Sequence, residues 1–282
     1  MTELVVHRAG VVLVQDAGRA GQAAIGVGRS GAADQSAYAL GNRLVGNRPG
    51  AASLEVLLGE LELEATATSW LCVTGAPAPL SVDGRTEPAG TVVALRAGQR
   101  LRLGTPAAGV RSYLSVRGGL DVPPVLGSRA HDTLAGIGPG PVEAGARLPL
   151  GDDGAEAIRV EAVPAATYDP SPVLRVVRGP RDDWIADAER LVAETWTVAP
   201  DSDRVGLRLA GARLALRDPD RQLPSEGAVR GAIQVPPSGE PVVLGPDHPV
   251  TGGYPVVGVV VDRDTDRLAQ LRPGETVRFR WE

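Results

Sequence analysis

Residues Val14–Asn47 read VQDAGRAGQAAIGVGRSGAADQSAYALGNRLVGN, and the reading of this stretch decides the fold. Seven glycines lie in it, with Asp16, Arg19, Arg29 and Asp34 placed ahead of one short helix. Glycine at this density marks backbone that turns sharply or approaches another group closely. Gly26-Val27-Gly28-Arg29-Ser30-Gly31 matches the GxGxxG dinucleotide fingerprint in form. That fingerprint requires a buried parallel strand before it and a helix directly after it, inside a βαβ unit. Only Ala23-Ala24-Ile25 precede Gly26, and short alternating segments follow without regular helices between them. The stretch is therefore read as a glycine-rich turn feeding a helix N-terminus, where free N–H groups and the helix dipole favour an anion.

Beyond this stretch, short apolar runs bounded by Gly, Pro and Asp dominate. Clear cases are Val11–Gln15, Leu54–Leu58, Leu61–Leu63, Trp70–Val73, Val92–Leu95, Leu101–Leu103 and Tyr113–Val116. The second half adds Leu174–Val177, Leu207–Leu209, Leu214–Leu216, Ala232–Val235, Val242–Leu244, Val256–Val261 and Thr276–Arg280. Strands of this length and spacing predict a mainly β chain closing into barrels or sandwiches. Two helices are predicted. One is capped by Asp34, carries Ala37, Leu40 and Leu44 on one face, and stops at Gly46. The other starts near Asp182 and runs through Trp184, Ala188, Leu191, Val192 and Thr195. After each helix comes a glycine-broken pair of β segments, LEVLLGELEL (54–63) and GLRLAGARLAL (206–216), and then AGQRLRLG or PGETVRFRW. This order suggests a repeat of two related barrels, residues 1–168 and 169–282, joined near VPAATYDPSP (163–172).

Composition narrows the function. With 43% hydrophobic and 22% charged residues, the chain is ordinary for a globular protein. A net charge of -5 gives no basic footprint for nucleic acid. No apolar run reaches membrane-span length, and Met1-Thr2-Glu3 is not the basic start of a signal peptide, so a cytoplasmic setting is expected. All 29 basic residues are arginine. That excludes a P-loop lysine, a Schiff-base lysine and a biotinylated lysine on this chain. The single Cys72 reads as a buried structural thiol. His7, His131 and His248 show no metal-ligand spacing.

The chain also resembles a known family along nearly its whole length. The residues that carry the resemblance are QDAGR (15–19), SGAADQ (30–35), NRLVGN (42–47), Leu54-Glu55 and Thr74-Gly75-Ala76. They continue with YLSVRGGLDVPPVLGSR (113–129), SDRVGLRLAG (202–211), PSEGAVRGAIQVPPSG (224–239), TGGYP (251–255) and LAQLRPGETVRF (268–279). In this order they are similar to the KipA family, also known as allophanate hydrolase subunit 2 and as biotin-dependent carboxyltransferase-like proteins. The same family includes the C subunits of 5-oxoprolinases. The resemblance implies two cyclophilin-like β-barrels. It further implies one component of an ATP-dependent 5-oxoprolinase that opens a lactam to glutamate, inactive alone. The implied partners are a KipI-like subunit and a LamB/YcsF-like subunit, with ATP used by the complex and no covalent biotin here. Alternatives within the family are a regulatory antagonist of a KipI-like histidine-kinase inhibitor, and the carboxyltransferase half of a urea carboxylase. The chain departs from the family pattern after Gly127-Ser128-Arg129, where Ala130-His131-Asp132 lead into Ile137–Gly151.

Lactam opening or carboxyl transfer needs an anion grip, oxyanion donors and a proton-transfer group. Candidates for the grip are Arg19, Arg129 and Arg204, with surface ion pairing as the alternative for each. Ser30 and Asp34 flank the helix start, and Asp34 can cap the helix and serve a site together. Asp16 reads as a turn former. Glu55 is expected either exposed at an edge or paired with an arginine. Ser225 and Glu226 lie in a Pro-Ser-Glu-Gly turn, with Gln234 on the next strand; Glu226 is a candidate base or a solvated turn carboxylate. Thr251, Gly252, Gly253 and Tyr254 offer bare N–H groups, a hydroxyl and a phenol. They form an oxyanion cradle or a β-turn with a tyrosine on the barrel rim.

Overall fold

The structure is a computed structural model that describes residues 2–151 and 156–282. Met1, with which the N-terminal reading begins, lies outside it. The chain forms two compact units. The first comprises Met1–Arg19, Ser30–Asp132 and Gly136–Tyr168; the second comprises Ala20–Arg29, Thr133–Ala135 and Asp169–Glu282.

Alternation in the sequence builds the first unit. In Leu61–Ala65, Leu61, Leu63 and Ala65 point inward while Glu62 and Glu64 face outward. The neighbouring strand Arg100–Leu103 repeats the pattern with opposite charge, so Glu62 meets Arg102 and Glu64 meets Arg100 across the ladder. These two strands sit inside a six-stranded sheet ordered Arg147–Pro149, Glu3–Arg8, Leu61–Ala65, Arg100–Leu103, Leu80–Val82, Arg85–Glu87. A five-stranded sheet, Val11–Gln15, Ser53–Leu57, Arg111–Val116, Ser69–Gly75, Val92–Leu95, supplies the other wall. Leu4, Leu63 and Leu101 from one sheet and Val14, Leu54 and Leu114 from the other share a single apolar core.

Helix α1 (Gln35–Leu44) lies on the five-stranded sheet and buries Ala37, Tyr38, Gly41 and Leu44. Gly41 is mid-helix, where glycine costs about 1 kcal/mol against alanine. A Cβ there would stand 2.7 Å from Ser115 Oγ and 2.9 Å from Thr74 Oγ1, so close helix–sheet approach requires glycine. Polar side chains fix the seat: Thr74 donates to the Ala37 carbonyl at 2.7 Å, and Asn42 donates to Ser53 Oγ at 3.1 Å.

The second unit contains a closed barrel ordered Val173–Arg178, Val256–Val260, Ala232–Gln234, Val242–Leu244, Gly206–Ala210, Trp196–Val198, Thr276–Trp281. A parallel pairing of the first and last of these closes it. Its core is led by Trp196, Phe279, Ile233 and Leu174.

Three expectations need correction. The helix expected from Asp182 is broken: a 3-10 turn covers Asp182–Trp184, and α2 spans only Arg190–Ala193. Ile185 turns extended and bridges to Leu216, which outweighs helical periodicity. Leu214–Leu216 is accordingly no strand beyond that bridge. The expected hairpin in LEVLLGELEL also fails, because Ser53–Leu57 and Leu61–Ala65 belong to different sheets. Leu58, Gly59 and Glu60 all take positive φ between them, and the chain crosses from one sheet to the other. The two proposed repeats are therefore not equivalent. A third helix, α3 (Asp262–Leu268), follows the Val256–Val260 strand; its sequence is almost entirely polar and gives no periodic signal.

Candidate functional site

Asp16 organises the first unit's glycine-rich loop. Its carboxylate accepts from the Gly18 N–H at 2.8 Å and the Ser128 hydroxyl at 2.6 Å through one oxygen, and from the Arg129 N–H at 2.6 Å through the other. Its carbonyl takes the Ala32 N–H at 2.9 Å. Gly31 has φ 96°, and a Cβ there would stand 2.8 Å from Gly18 N, so this crossing of loop strands admits only glycine. Ser30 beside it is left-handed too, at φ 53°. Sequence segments far apart are thus stitched together: 15–19, 30–34 and 128–132.

Three side chains then converge on Ala130–Asp132. Gln15 Nε2 donates to the His131 carbonyl at 2.8 Å, Ser30 Oγ donates to the same carbonyl at 3.3 Å, and Arg19 Nη2 donates to the Ala130 carbonyl. The Arg19 side chain is 0% exposed, and its Nη1 lies 4.0 Å from Asp132 Oδ2. Among the described residues, four buried side-chain atoms have no hydrogen-bond partner: Gln15 Oε1, Arg19 Nε, Arg19 Nη1 and His131 Nδ1. All four fall in this one place. A buried unsatisfied polar group ordinarily costs about 1–3 kcal/mol, and more when charged. The cluster is chemically a set of donors and an acceptor held ready for another molecule.

Behind it, Glu55, Tyr113 and Asp34 hold the start of α1. Glu55 Oε2 accepts from the Ala33 N–H at 2.9 Å and from the Tyr113 hydroxyl at 2.8 Å. The Tyr113 oxygen accepts in turn from the Asp34 N–H at 2.7 Å. Arg111 Nε stands 3.4 Å from Glu55, so of the two expectations for Glu55 the arginine pair is the one observed. Burial, and then the charges of Glu55 and Asp34, push the Tyr113 phenol well above its ordinary value, which keeps it a neutral donor. Asp34 caps α1 by accepting from the Ala37 N–H at 2.9 Å. Arg129 joins the loop through its backbone N–H. Its guanidinium turns away to Asp121 at 2.8 Å and to the Val122 carbonyl at 2.7 Å, which corrects the expectation of an anion grip.

The second unit brings other predicted residues together. Glu226 and Gly252 are cross-strand partners, as are Gly227 and Thr251. Gln234 lies against them, since a Cβ at Gly252 would stand 2.5 Å from Gln234 Nε2. Ser225 and Thr251 are exposed, Gly253 follows the short strand, and Tyr254 is 49% exposed. Glu226 is not a free base. Arg181 grips both its oxygens through Nε at 3.1 Å and adds an Nη2 bond. The hydrogen bond from Arg181 holds the Glu226 carboxyl below its ordinary range, where it accepts a proton poorly. Arg204 is likewise occupied: its Nε and Nη2 meet the two Asp247 oxygens at 2.8 and 2.9 Å. Asp247 also accepts from the Thr133 N–H at 2.9 Å and hydroxyl at 2.7 Å.

Sequence reasoning gives no role to Gln15, His131, Asp132 or Arg181, because nothing local marks them; their contacts join distant segments. Among the described residues no group of three or more His, Cys, Asp and Glu side chains could hold a metal. No helix among them is long and apolar enough to cross a membrane. Cys72 is buried and its thiol is pushed up to about 12 by that burial, so it is inert as a nucleophile.

Comparison with known proteins agrees with this architecture. The family described as "Carboxyltransferase domain, subdomain A and B" matches residues 25–281. The chain is 36% identical to the C subunit of the 5-oxoprolinase of Escherichia coli, over 98% of its own length and 90% of that protein's. It is 35% identical to the C subunit of the 5-oxoprolinase of Haemophilus influenzae, covering 94% and 86%. Among solved structures it superposes on the urea carboxylase of Kluyveromyces lactis with a TM-score of 0.91 at 27% identity. That match covers 99% of this chain but only 27% of the larger one.

Proposed function

The chain belongs to the family of the carboxyltransferase domain, subdomain A and B, and from that premise we propose that it is the C subunit of an ATP-dependent 5-oxoprolinase. In this reading it works with a KipI-like subunit and a LamB/YcsF-like subunit to hydrolyse 5-oxoproline to glutamate, and is inactive alone. The observation that carries the reading is the near end-to-end likeness to the C subunits of two 5-oxoprolinases. The first unit's geometry fits the chemistry. Opening a lactam requires the ring amide to be held and its carbonyl oxygen polarised, and the under-partnered Arg19 guanidinium is a buried cationic donor for such an oxygen. Asp16, Gly31 and the Glu55–Tyr113 pair position that donor without entering the chemistry. A chain without lysine has no P-loop lysine, so we assign ATP to the assembly rather than to a P-loop on this chain.

Co-purification of the three components followed by an assay for 5-oxoproline-dependent ATP hydrolysis tests this. Turnover by the complex, missing from each component alone, is expected. A complex that forms and hydrolyses no ATP in response to 5-oxoproline overturns the reading.

Likeness to the urea carboxylase favours a second reading, the carboxyltransferase half of an enzyme that uses a biotinylated carrier. The absence of lysine places any biotin on another chain. Loss of activity on adding avidin would select this reading over the first.

A further inference from the structure

We infer that Gln15 and Arg19 form a two-pronged receptor for the N–H/C=O edge of a small planar amide. This rests on the oxoprolinase reading only for the choice of the lactam as its natural occupant. The polarity of each prong follows from its anchor. The His131 carbonyl can only accept, so the Gln15 atom facing it at 2.8 Å is the amide nitrogen, and Oε1 is turned the other way. Buried and without a partner among the described residues, Oε1 calls for an N–H. Arg19 is anchored through Nη2 to the Ala130 carbonyl, which leaves Nε and Nη1 as donors calling for an oxygen. Both anchors are neighbouring carbonyls of one segment, so acceptor and donors are presented side by side. A compound with N–H next to C=O satisfies both.

Charge selects among the compounds that could enter. Arg19 does not face its ligand as a bare cation, because the Asp132 carboxylate lies 4.0 Å from Nη1, itself buried. The pair is close to neutral overall, which favours an uncharged carbonyl over a full anion. A carboxylate or phosphate would also set its lone pairs against Gln15 Oε1. The receptor therefore reads the lactam ring rather than the substrate's carboxylate. His131 Nδ1 is the remaining unpartnered atom, and its tautomer can match either polarity. It borders the site without deciding its selectivity.

The test is nitrogen-15 NMR on the full chain, following the Arg19 Nε–H and Gln15 side-chain resonances, assigned through Arg19→Lys and Gln15→Leu. Three probes are titrated: pyrrolidinone, which carries the amide edge without a carboxylate; butyrolactone, which lacks the N–H; and acetate, which is only an anion. We expect pyrrolidinone to shift both resonances saturably, with an apparent Kd at least tenfold lower than for butyrolactone or acetate. Both resonances unmoved by pyrrolidinone, or acetate binding as well as pyrrolidinone, overturns the inference. Wild-type protein gives the readout, so an unfolded variant does not blunt it. In the assembled complex, Gln15→Leu is expected to raise KM for 5-oxoproline at least tenfold with a smaller change in kcat. Pyrrolidinone binding without oxoprolinase turnover keeps the receptor and removes the functional reading. Turnover with both resonances unmoved does the reverse.

Discussion

Two buried arginines, Arg19 in the first unit and Arg204 in the second, show what separates a structural cation from a receptive one. Arg204 meets both oxygens of Asp247 at 2.8 and 2.9 Å, and Asp247 has further donors in Thr133. Arg19 is buried more completely, yet its nearest carboxylate lies at 4.0 Å, and among the described residues Nε and Nη1 have no hydrogen-bond partner. Sequence gives the two the same standing, an arginine in a loop beside glycine. Burial does not distinguish them either. What does is whether the partner was built into the chain. A buried guanidinium with a bidentate carboxylate has its hydrogen-bonding satisfied by the fold, whereas one anchored by a single carbonyl leaves that demand to a ligand.

The largest effect that would sharpen this contrast is expected from Arg204→Met. It strands the Asp247 carboxylate in the interior, and chemical denaturation should show a loss of about 3–5 kcal/mol. A loss below about 1 kcal/mol would mean the pair is not the closed unit described above. Next comes Tyr113→Phe, which takes the partner from the Asp34 N–H and one donor from Glu55. A cost of about 1–3 kcal/mol in the same measurement is expected. An unchanged midpoint would break the claim that the first unit's loop is rigidly seated on its sheet. Asp34→Ala removes the cap of α1 and should cost about 1 kcal/mol; no change would show the side chain is not used for capping.

How much of this was legible in the sequence follows from the range of the interactions. The alternation in Leu61–Ala65 and in Arg100–Leu103 declares its own inward face, and the Asp34 cap lies three residues from the N–H it accepts. Periodicity failed where a tertiary contact overrode it, as when Ile185 left the helical pattern to bridge Leu216. It also had nothing to read in α3, where five of seven residues are charged. For the site, Arg19 and Ser30 could be picked out as polar residues in a glycine loop. Their relation to Gln15 and His131 could not, because 116 residues separate Gln15 from the carbonyl that orients it. That Arg129 and Arg204 are occupied was equally hidden. Arg129 finds its acceptors only through the local turn at 121–122, and Asp247 lies 43 residues from Arg204.

A smaller effect comes from pH. Burial raises the Asp264 carboxyl, but the hydrogen bonds and charge of Arg175, with Nε at 2.9 Å, outweigh it and hold the group below its ordinary range. A carboxyl depressed in the folded state stabilises the fold above the unfolded value, about 3.9 for aspartate, and that contribution fades as pH falls through the folded value. Denaturation midpoints should therefore decline on the acid side of about pH 4. In Arg175→Met the decline should be shallower. Parallel profiles would remove Asp264 from the acid response.

The most direct measurement is the same denaturation applied to Arg19→Met beside Arg204→Met. If Arg19 is held for a ligand rather than for the fold, its loss should leave stability within about 1 kcal/mol of the parent, against several for Arg204. Equal losses at the two positions would contradict the distinction and return Arg19 to the structural arginines.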